Sequence, residues 1–288
     1  MKKNIKILIS YHKPFKLLED SVFLPIHVGR TLCKTETKDG KINKRAKKWL
    51  FKKLLGDNRG ENISRKNRSY SELTAQYWAW KHYEKLGTPD YIGFMHYRRH
   101  FEFVKPYKKF FKLSPNKRKQ ILENSLEDVD MIVPAKCQLT GETNYEQYVN
   151  YPDLHKKDLD TMLEVLGELY PDYKISAEKY MKDSLAYFCN MYILKKDVFF
   201  EYEKILFDVL GECERRMDIT KYDVNERRVM GHLSERLFGI YVTKNREKYR
   251  IKEMPWALVS EDGFITKTLN SLNKIKNLVH KLRPLICT

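Results

Sequence analysis

Two places in this sequence send an apolar run straight into cations. Residues 91–95 (YIGFM) suit a buried strand, and His96, Tyr97, Arg98, Arg99 and His100 follow with no acid before Glu102. Residues 4–10 (NIKILIS) have the same character and lead into His12 and Lys13. Cations at the ends of buried strands can hold a phosphorylated ligand, because a guanidinium offers several donors in one plane and takes two phosphate oxygens at once. On this reading Arg98 and Arg99 face a diphosphate, with His96 beside them, and neutralise its charge without a metal. The plain alternative is a pair of surface cations in a basic protein; the burial of the segment leading to them favours the first. Asp128-Val129-Asp130 is a literal D-x-D, a pattern that can hold a divalent metal. It precedes the apolar residues 131–133, whereas a metal-holding pair follows its strand, so it is read as a strand-entry pair and no metal is assigned.

Periodicity supplies the elements that must position these groups. Strands are predicted over 4–10, 22–28 (interrupted by Pro25), 91–95, 129–133, 187–194 with Asn190 in its middle, and near 250–253. Helical spacing runs through 38–55, 67–85, 157–169, 197–216 and 224–240. Before the second of these, residues 57–64 are turn-formers ending in Ser64, a candidate N-cap. Strands that alternate with helices predict an α/β domain with a mostly parallel central sheet. Ligands of such sheets sit at the carboxyl ends of strands, where both cation clusters fall.

Composition narrows the partners. The 288 residues carry 55 Lys+Arg against 38 Asp+Glu, a formal net charge of +17. Such a balance suits nucleic acid, an anionic membrane surface or phosphorylated substrates. Cys33, Cys137, Cys189, Cys213 and Cys287 are odd in number and form no C-x-x-C, which gives little support to a disulfide framework or a zinc site. The N-terminal apolar run is short for a signal peptide, and no run reaches the length of a membrane span, so a cytoplasmic protein is expected. Two segments are strongly basic: residues 38–55, and residues 105–119, which hold no acid. Their interleaved Trp49, Phe51, Tyr107, Phe110 and Phe111 keep a basic nucleic-acid-binding protein without catalytic activity as the alternative function. No helix-turn-helix, zinc-finger or RNP-like motif accompanies them.

Taken together, several pieces resemble the DUF4422 family of bacterial glycosyltransferase-like proteins from capsule, exopolysaccharide and lipopolysaccharide loci. They are H-K-P at 12–14, then GENIS-x-KN-x-x-Y-x-ELTA-x-YW-x-WK from Gly60, then DYIG-x-x-HYRR from Asp90. Later come YEQY (145–148), H-x-x-DLD (155–160), CNMYILKKDVF (189–199) and R-x-x-GHLSERL (228–237). The resemblance runs over residues 5–255. It implies a GT-A-like, Rossmann-type fold and hexosyl transfer from a UDP-sugar to a growing surface polysaccharide or lipid-linked glycan; some members are linked to galactofuranose transfer. The long basic stretches 35–55 and 105–119 depart from the family pattern as insertions.

The same resemblance distributes roles. His12, Lys13, Asn62, Ser64 and Asn67 are expected on the nucleotide side with His96, and Arg98 and Arg99 at the diphosphate. Asn190 matches the asparagine-bearing acceptor strand of GT-A enzymes. His155 and Arg228 are placed at the acceptor or sugar; for His155, helical spacing from Asp158 fits a surface pair equally well. An inverting transferase needs a carboxylate to take the acceptor's proton. Glu235 is the candidate, with an ion pair to Arg228 or Arg236 as its alternative reading and Asp183 as a weaker base. No cofactor is required on this reading. The catalytic domain is assigned to residues 1–262 and a basic amphipathic C-terminal helical tail to 263–288. In 266–286, Leu269, Leu272, Ile275, Leu278, Val279, Leu282 and Ile286 recur at spacings suited to one helical face, together with five cations and no acid. That pattern suits peripheral attachment to the inner face of the cell membrane, against a docked terminal helix or an oligomer contact.

Overall fold

A computed structural model describes residues 3–33, 36–37, 40–260 and 263–265. The strands that carry the argument are β1 (Ile5–Tyr11), β2 (Phe23–His27), β3 (Leu55–Gly56), β4 (Tyr91–His96), β5 (Arg99–Phe101), β6 (Met131–Pro134), β7 (Tyr192–Lys195), β8 (Ile251–Met254), β9 (Trp256–Ser260) and β10 (Gly263–Ile265). The main path of the sheet runs β8-β6-β7-β4-β1-β2-β3. β1 pairs in parallel with β2 and β4, and β6 with β8; β7 alone on this path is antiparallel to both its neighbours. The α/β expectation with a mostly parallel sheet therefore holds.

Both faces of the sheet are covered, which is why its strands read as continuous apolar runs. Alternate residues of β1 serve two cores: Leu8 packs with Ile92 and Phe94 on one face, while Ile5, Ile7 and Ile9 pack with Tyr91 and Met95 on the other. All four of these β1 side chains are at most 1% exposed, and a buried Ile or Leu is worth roughly 2 kcal/mol. The first core is filled by α6 (Asn144–Val149), α7 (Lys156–Leu169), α8 (Lys174–Lys182), α9 (Lys196–Arg216) and α10 (Val229–Lys244). The second is closed by α4 (Tyr107–Lys112) and α5 (Pro115–Ser125), whose Tyr107, Phe110 and Leu122 are fully buried. Residues 105–119 are thus a core-forming pair of helices. Their lysines are the solvent side of an amphipathic pattern, and Arg118 is pinned between Asp20 and the Leu113 carbonyl.

Several predicted elements are shorter or broken. The helix expected over 38–55 begins at Lys44, capped by the Asn43 side chain. That expected over 67–85 splits into α2 (Asn67–Tyr70) and α3 (Leu73–Lys81), because Ser71 takes φ 49°. The strand predicted over 187–194 begins at Tyr192, since Cys189 and Asn190 have φ 84° and 45°. The domain boundary placed after residue 262 falls inside the antiparallel β9–β10 pair. The helix expected over 266–286 lies outside the described residues, as does Cys287. Cys33, Cys137, Cys189 and Cys213 are free thiols. Among the described residues no helix is long and apolar enough to cross a membrane.

Candidate active site

A cleft of about 330 Å³ opens at the carboxyl ends of β1, β2 and β4, between the α2–α3 junction and the start of α10. On the sheet side the chain does not continue from β4 into a loop. It turns back at Tyr97 and Arg98 into β5, with His96 opposite Arg99 in antiparallel register. The turn is fixed by Tyr97, whose ring packs against those of Tyr11, His12 and Phe15. Arg98 lies over the Tyr97 ring at 5.3 Å, and Arg99, buried, lies 5.9 Å from the Trp256 ring. Four successive residues thus present two guanidiniums and the His96 imidazole to one cleft. His100 goes elsewhere: it is fully buried, its Nδ1 is 2.5 Å from the Tyr107 hydroxyl and its ring stacks on Phe111. Burial, reinforced by His96, pushes its pKa down to about 3, so it is a neutral core residue.

Two carboxylates meet these cations. The break at Ser71 ends α2 and swings Glu72 into the cleft at the head of α3; Asn67 holds the break by donating to the Ser71 carbonyl at 2.5 Å. Glu72 stands 3.9 Å from His96 Nε2 and accepts from the Asn190 side chain at 2.8 Å. Glu235 projects from α10 and accepts the Cys189 N–H at 2.6 Å. The left-handed Cys189–Asn190 segment therefore joins the pair, giving a backbone N–H to one carboxylate and an amide to the other. Asn190 also donates to the Gly231 carbonyl, and accepts from the Ser234 hydroxyl. Asn tolerates the left-handed region better than most residues, and here every arm of its side chain is held.

The environment separates the two acids. Burial pushes Glu235 up to about 7, with Glu72 adding to the rise and Arg236, the Cys189 N–H and Arg99 opposing it. Glu72 is also penalised by burial, but His96, the Asn190 amide and Arg228 outweigh this and hold it below the usual carboxylate range. His96 is lowered, since burial and Arg99 overcome the pull of Glu72; its Nε2 lies 2.6 Å from the Cys189 carbonyl. An acid electrostatically coupled to an imidazole, and a second acid that titrates near neutrality, are the ingredients of proton transfer at physiological pH.

The far end of the cleft is built around Gly29. Its φ of 62° and its approach to Asn67, whose Oδ1 lies 2.5 Å from where a Cβ would be, admit no larger residue without a shift. Asp57 accepts the Gly29 and Arg30 N–H groups and the Ser64 hydroxyl, fixing this turn. Arg30 is buried, donating to the Leu50 and Leu54 carbonyls and to His27 Nδ1. Burial, then Arg30 and His12, lower His27 to about 3, so it faces the cleft as a neutral imidazole.

Of the residues singled out in the sequence, His12, Asn67, His96, Arg98, Arg99, Arg228 and Glu235 line this one cleft. Lys13, Asn62, Ser64, His155 and Asn190 do not. Ser64 is fully buried on Asp57, and Asn62 shapes the same turn by accepting the Ser64 N–H. His155 sits at the start of α7 and pairs with Glu226 at 3.0 Å. Asn190 stands behind the carboxylates. Asp183 spends its side chain on the Leu185 N–H. Asp128 and Asp130 are engaged by Arg250 at the opposite, amino-terminal end of β6. Among the described residues no three His, Cys, Asp or Glu side chains are grouped to hold a metal ion. Sequence reasoning missed Glu72, whose one signal is its place in the E-L-T-A piece, and missed Arg68, Arg227 and His232, which also line the cleft.

Comparison with known proteins adds to this geometry. A solved structure of the WbbM bifunctional glycosyltransferase in its apo form is 31% identical and superposes with a TM-score of 0.75, over 89% of this chain and 45% of that one. The chain thus spans less than half the length of that protein, and the likeness supports a glycosyltransferase-like fold. No curated protein matches. The profile of DUF4422, described as a domain of unknown function, matches residues 6–246. With that match spanning most of its length, the chain belongs to the DUF4422 family.

Proposed function

We propose that the protein is a glycosyltransferase that moves a hexosyl group, galactofuranose being the family-based candidate, from a UDP-sugar to a bacterial surface polysaccharide or lipid-linked glycan. The observation that carries this is the convergence of Arg98, Arg99 and Glu235 on one cleft at the carboxyl ends of the central strands. The nucleoside lies toward His12, His27 and Gly29. The diphosphate lies at the β4–β5 hairpin, where two guanidiniums receive the charge that develops as the glycosidic bond to phosphate breaks. Glu235 takes the proton from the attacking hydroxyl, and its raised pKa suits a base working near neutrality. Glu72, held ionised, orients a sugar hydroxyl or His96. No metal is assigned to the site on this reading. Residues 266–286 attach the enzyme to anionic lipid beside its acceptor.

Two of the five aromatics behind the nucleic-acid alternative, Tyr107 and Phe110, are fully buried and cannot serve as stacking platforms for bases, while Phe51 is exposed. A thermal-shift screen of nucleotides and nucleotide sugars tests the main reading, since a ligand that binds only the folded state raises the midpoint. Stabilisation by UDP and one UDP-sugar supports it; retention on nucleic acid with a steep salt dependence and no response to any nucleotide sugar would leave it without support. For the tail, a chain ending at Ile265 keeps the β9–β10 pair and should lose co-sedimentation with anionic vesicles while keeping UDP binding. Aggregation of that shortened chain would instead make the segment part of the core.

A further inference from the structure

The cleft has more positive charge than a sugar nucleotide needs, and that charge is divided. Five arginines and two glutamates line it. The sheet-side group is Arg98, Arg99 and His96. The second group comes from the opposite wall, where the 3-10 turn Glu226–Arg228 runs into α10 and presents Arg227, Arg228 and, one helical turn on, His232. The carboxylates touch this division: Glu72 is 3.9 Å from His96 of the first group and within electrostatic reach of Arg228 of the second, and Glu235 is within reach of Arg99. A single diphosphate shared by both groups would come close to Glu72, which is in reach of His96 and Arg228, and like-charge repulsion opposes that. Two anions, one at each group, ease that conflict.

The second wall is also built to stay in place. The Tyr222 hydroxyl donates to Asp158, which is 2% exposed, at 2.9 Å. His155 pairs with Glu226, and Glu226 accepts the Asp223 N–H at 2.7 Å. Arg227 donates to the Thr220 carbonyl at 3.3 Å, and Arg228 reaches the Ser71 hydroxyl at 3.4 Å. These contacts fix the arginine-bearing turn to α7 and to the α2–α3 junction. Among them, the His155–Glu226 pair gives His155 a part in holding the wall.

We propose that the cleft holds two anions at once: the donor's diphosphate at Arg98 and Arg99, and a phosphate or carboxylate on the acceptor at Arg227, Arg228 and His232. The proposal rests on the glycosyltransferase reading for the identity of the first anion only. It makes the acceptor an anionic glycan or sugar phosphate, with its reacting hydroxyl next to Glu235.

The test uses the full chain and thermal unfolding with UDP, glucose 1-phosphate, glucuronate and glucose as probes. With UDP saturating, glucose 1-phosphate or glucuronate should raise the midpoint further and glucose should not; which of the two anions acts identifies the acceptor group as phosphate or carboxylate. Arg227→Gln should keep the UDP response and weaken the second anion about tenfold or more, the usual cost of losing a charge-assisted contact. Arg98→Ala should do the reverse, and Arg227→Lys, which keeps the charge, should retain most of the second response. Loss of the second response when UDP is bound, or equal loss of UDP binding in Arg227→Gln and Arg98→Ala, would overturn the two-anion cleft. If UDP gives no response in the unaltered protein, the donor reading fails. Dependence of glucose 1-phosphate binding on Arg227 but not on Arg98 would still uphold the second site.

Discussion

The molecule has two carboxylate pairs at opposite ends of its sheet, and they have opposite fates. Asp128 and Asp130 are two residues apart, form a literal D-x-D, and are claimed by Arg250 at 3.1 and 3.0 Å. Arg250 and the backbone hydrogen bond of the same residue hold Asp130 below the usual carboxylate range, against burial. Glu72 and Glu235 are 163 positions apart in the numbering, share no motif, and stand together in the cleft through the Cys189–Asn190 segment. The conspicuous pair is spent on joining two strands; the inconspicuous pair keeps acid–base capacity. What decides the chemistry is which end of a parallel sheet a residue reaches, and topology sets that rather than spacing.

The largest expected difference between the pairs is in turnover. Glu235→Gln keeps the shape and removes the proposed base, and should lower kcat by roughly a hundredfold or more, within the range of general-base loss. Arg98→Ala and Arg99→Ala should each cost a similar factor through the lost charge stabilisation. Asp130→Asn should leave a steady-state transfer assay unchanged. A normal rate in Glu235→Gln, or a collapse in Asp130→Asn, would reverse the assignment. Chelation addresses the same contrast: activity should largely survive EDTA, and full inhibition restored by manganese or magnesium would break it.

How much of this was legible in sequence follows the same division. β1, β4, α7, α9 and α10 were readable because apolar spacing is a local property, and the H-Y-R-R cations were readable because a buried strand leads to them. The direction of the chain after Met95 was not. A hairpin and a crossover loop start from the same residues, and the partner of β5 is β9, more than 150 residues away. Helical spacing hid the Ser71 break, since Tyr70, Leu73, Tyr77 and Trp80 keep their stripe across it. The one local hint of the second break was Asn190 amid apolar residues. It was read as a ligand to sugar, whereas its amide is consumed by Glu72 and the Gly231 carbonyl. Ser64 was read as an N-cap, whereas it is the first residue of a 3-10 turn with Ile63 at the cap position, and its hydroxyl serves Asp57 in the interior.

A smaller effect is expected at Glu72. Glu72→Gln should cut turnover by less than the roughly hundredfold or more of losing a proton-transferring group, because it positions rather than transfers a proton. Because Glu72 raises His96 against burial, the substitution should lower the His96 pKa further, which a histidine-resolved NMR titration would read. An unchanged His96 titration would uncouple the two residues and leave Glu72 a merely structural acid.

The pairs should also oppose each other in the pH dependence of stability. Glu235 is raised from 4.5 to about 7 in the folded chain, so between those values the native state holds a proton that the unfolded chain has released. Its contribution is therefore present below pH 4.5 and is lost as pH rises through about 7. Glu235→Gln should gain stability relative to the unaltered protein across that window. Chemical-denaturation midpoints at a series of pH values would show a flat difference if the acid were not perturbed.

The smallest effect belongs to Asp130, and its sign is the reverse. Its folded pKa is lowered below 3.8, so its contribution is present above that value and is lost as pH falls through the lowered one. Asp130→Asn removes the charge, breaks the pairing with Arg250 and leaves Asp128 as that guanidinium's remaining acidic partner here. The Arg250 side chain is 58% exposed, and water screens the pair, so the loss at neutral pH should be small. It should shrink with added salt, because exposed charges are screened over about 8 Å at physiological ionic strength. It should vanish on the acid side, where both proteins carry a neutral group at this position. A loss that persisted in acid would mean that the hydrogen bond the Asp130 side chain accepts from the Arg250 N–H, rather than its charge, ties β6 to β8.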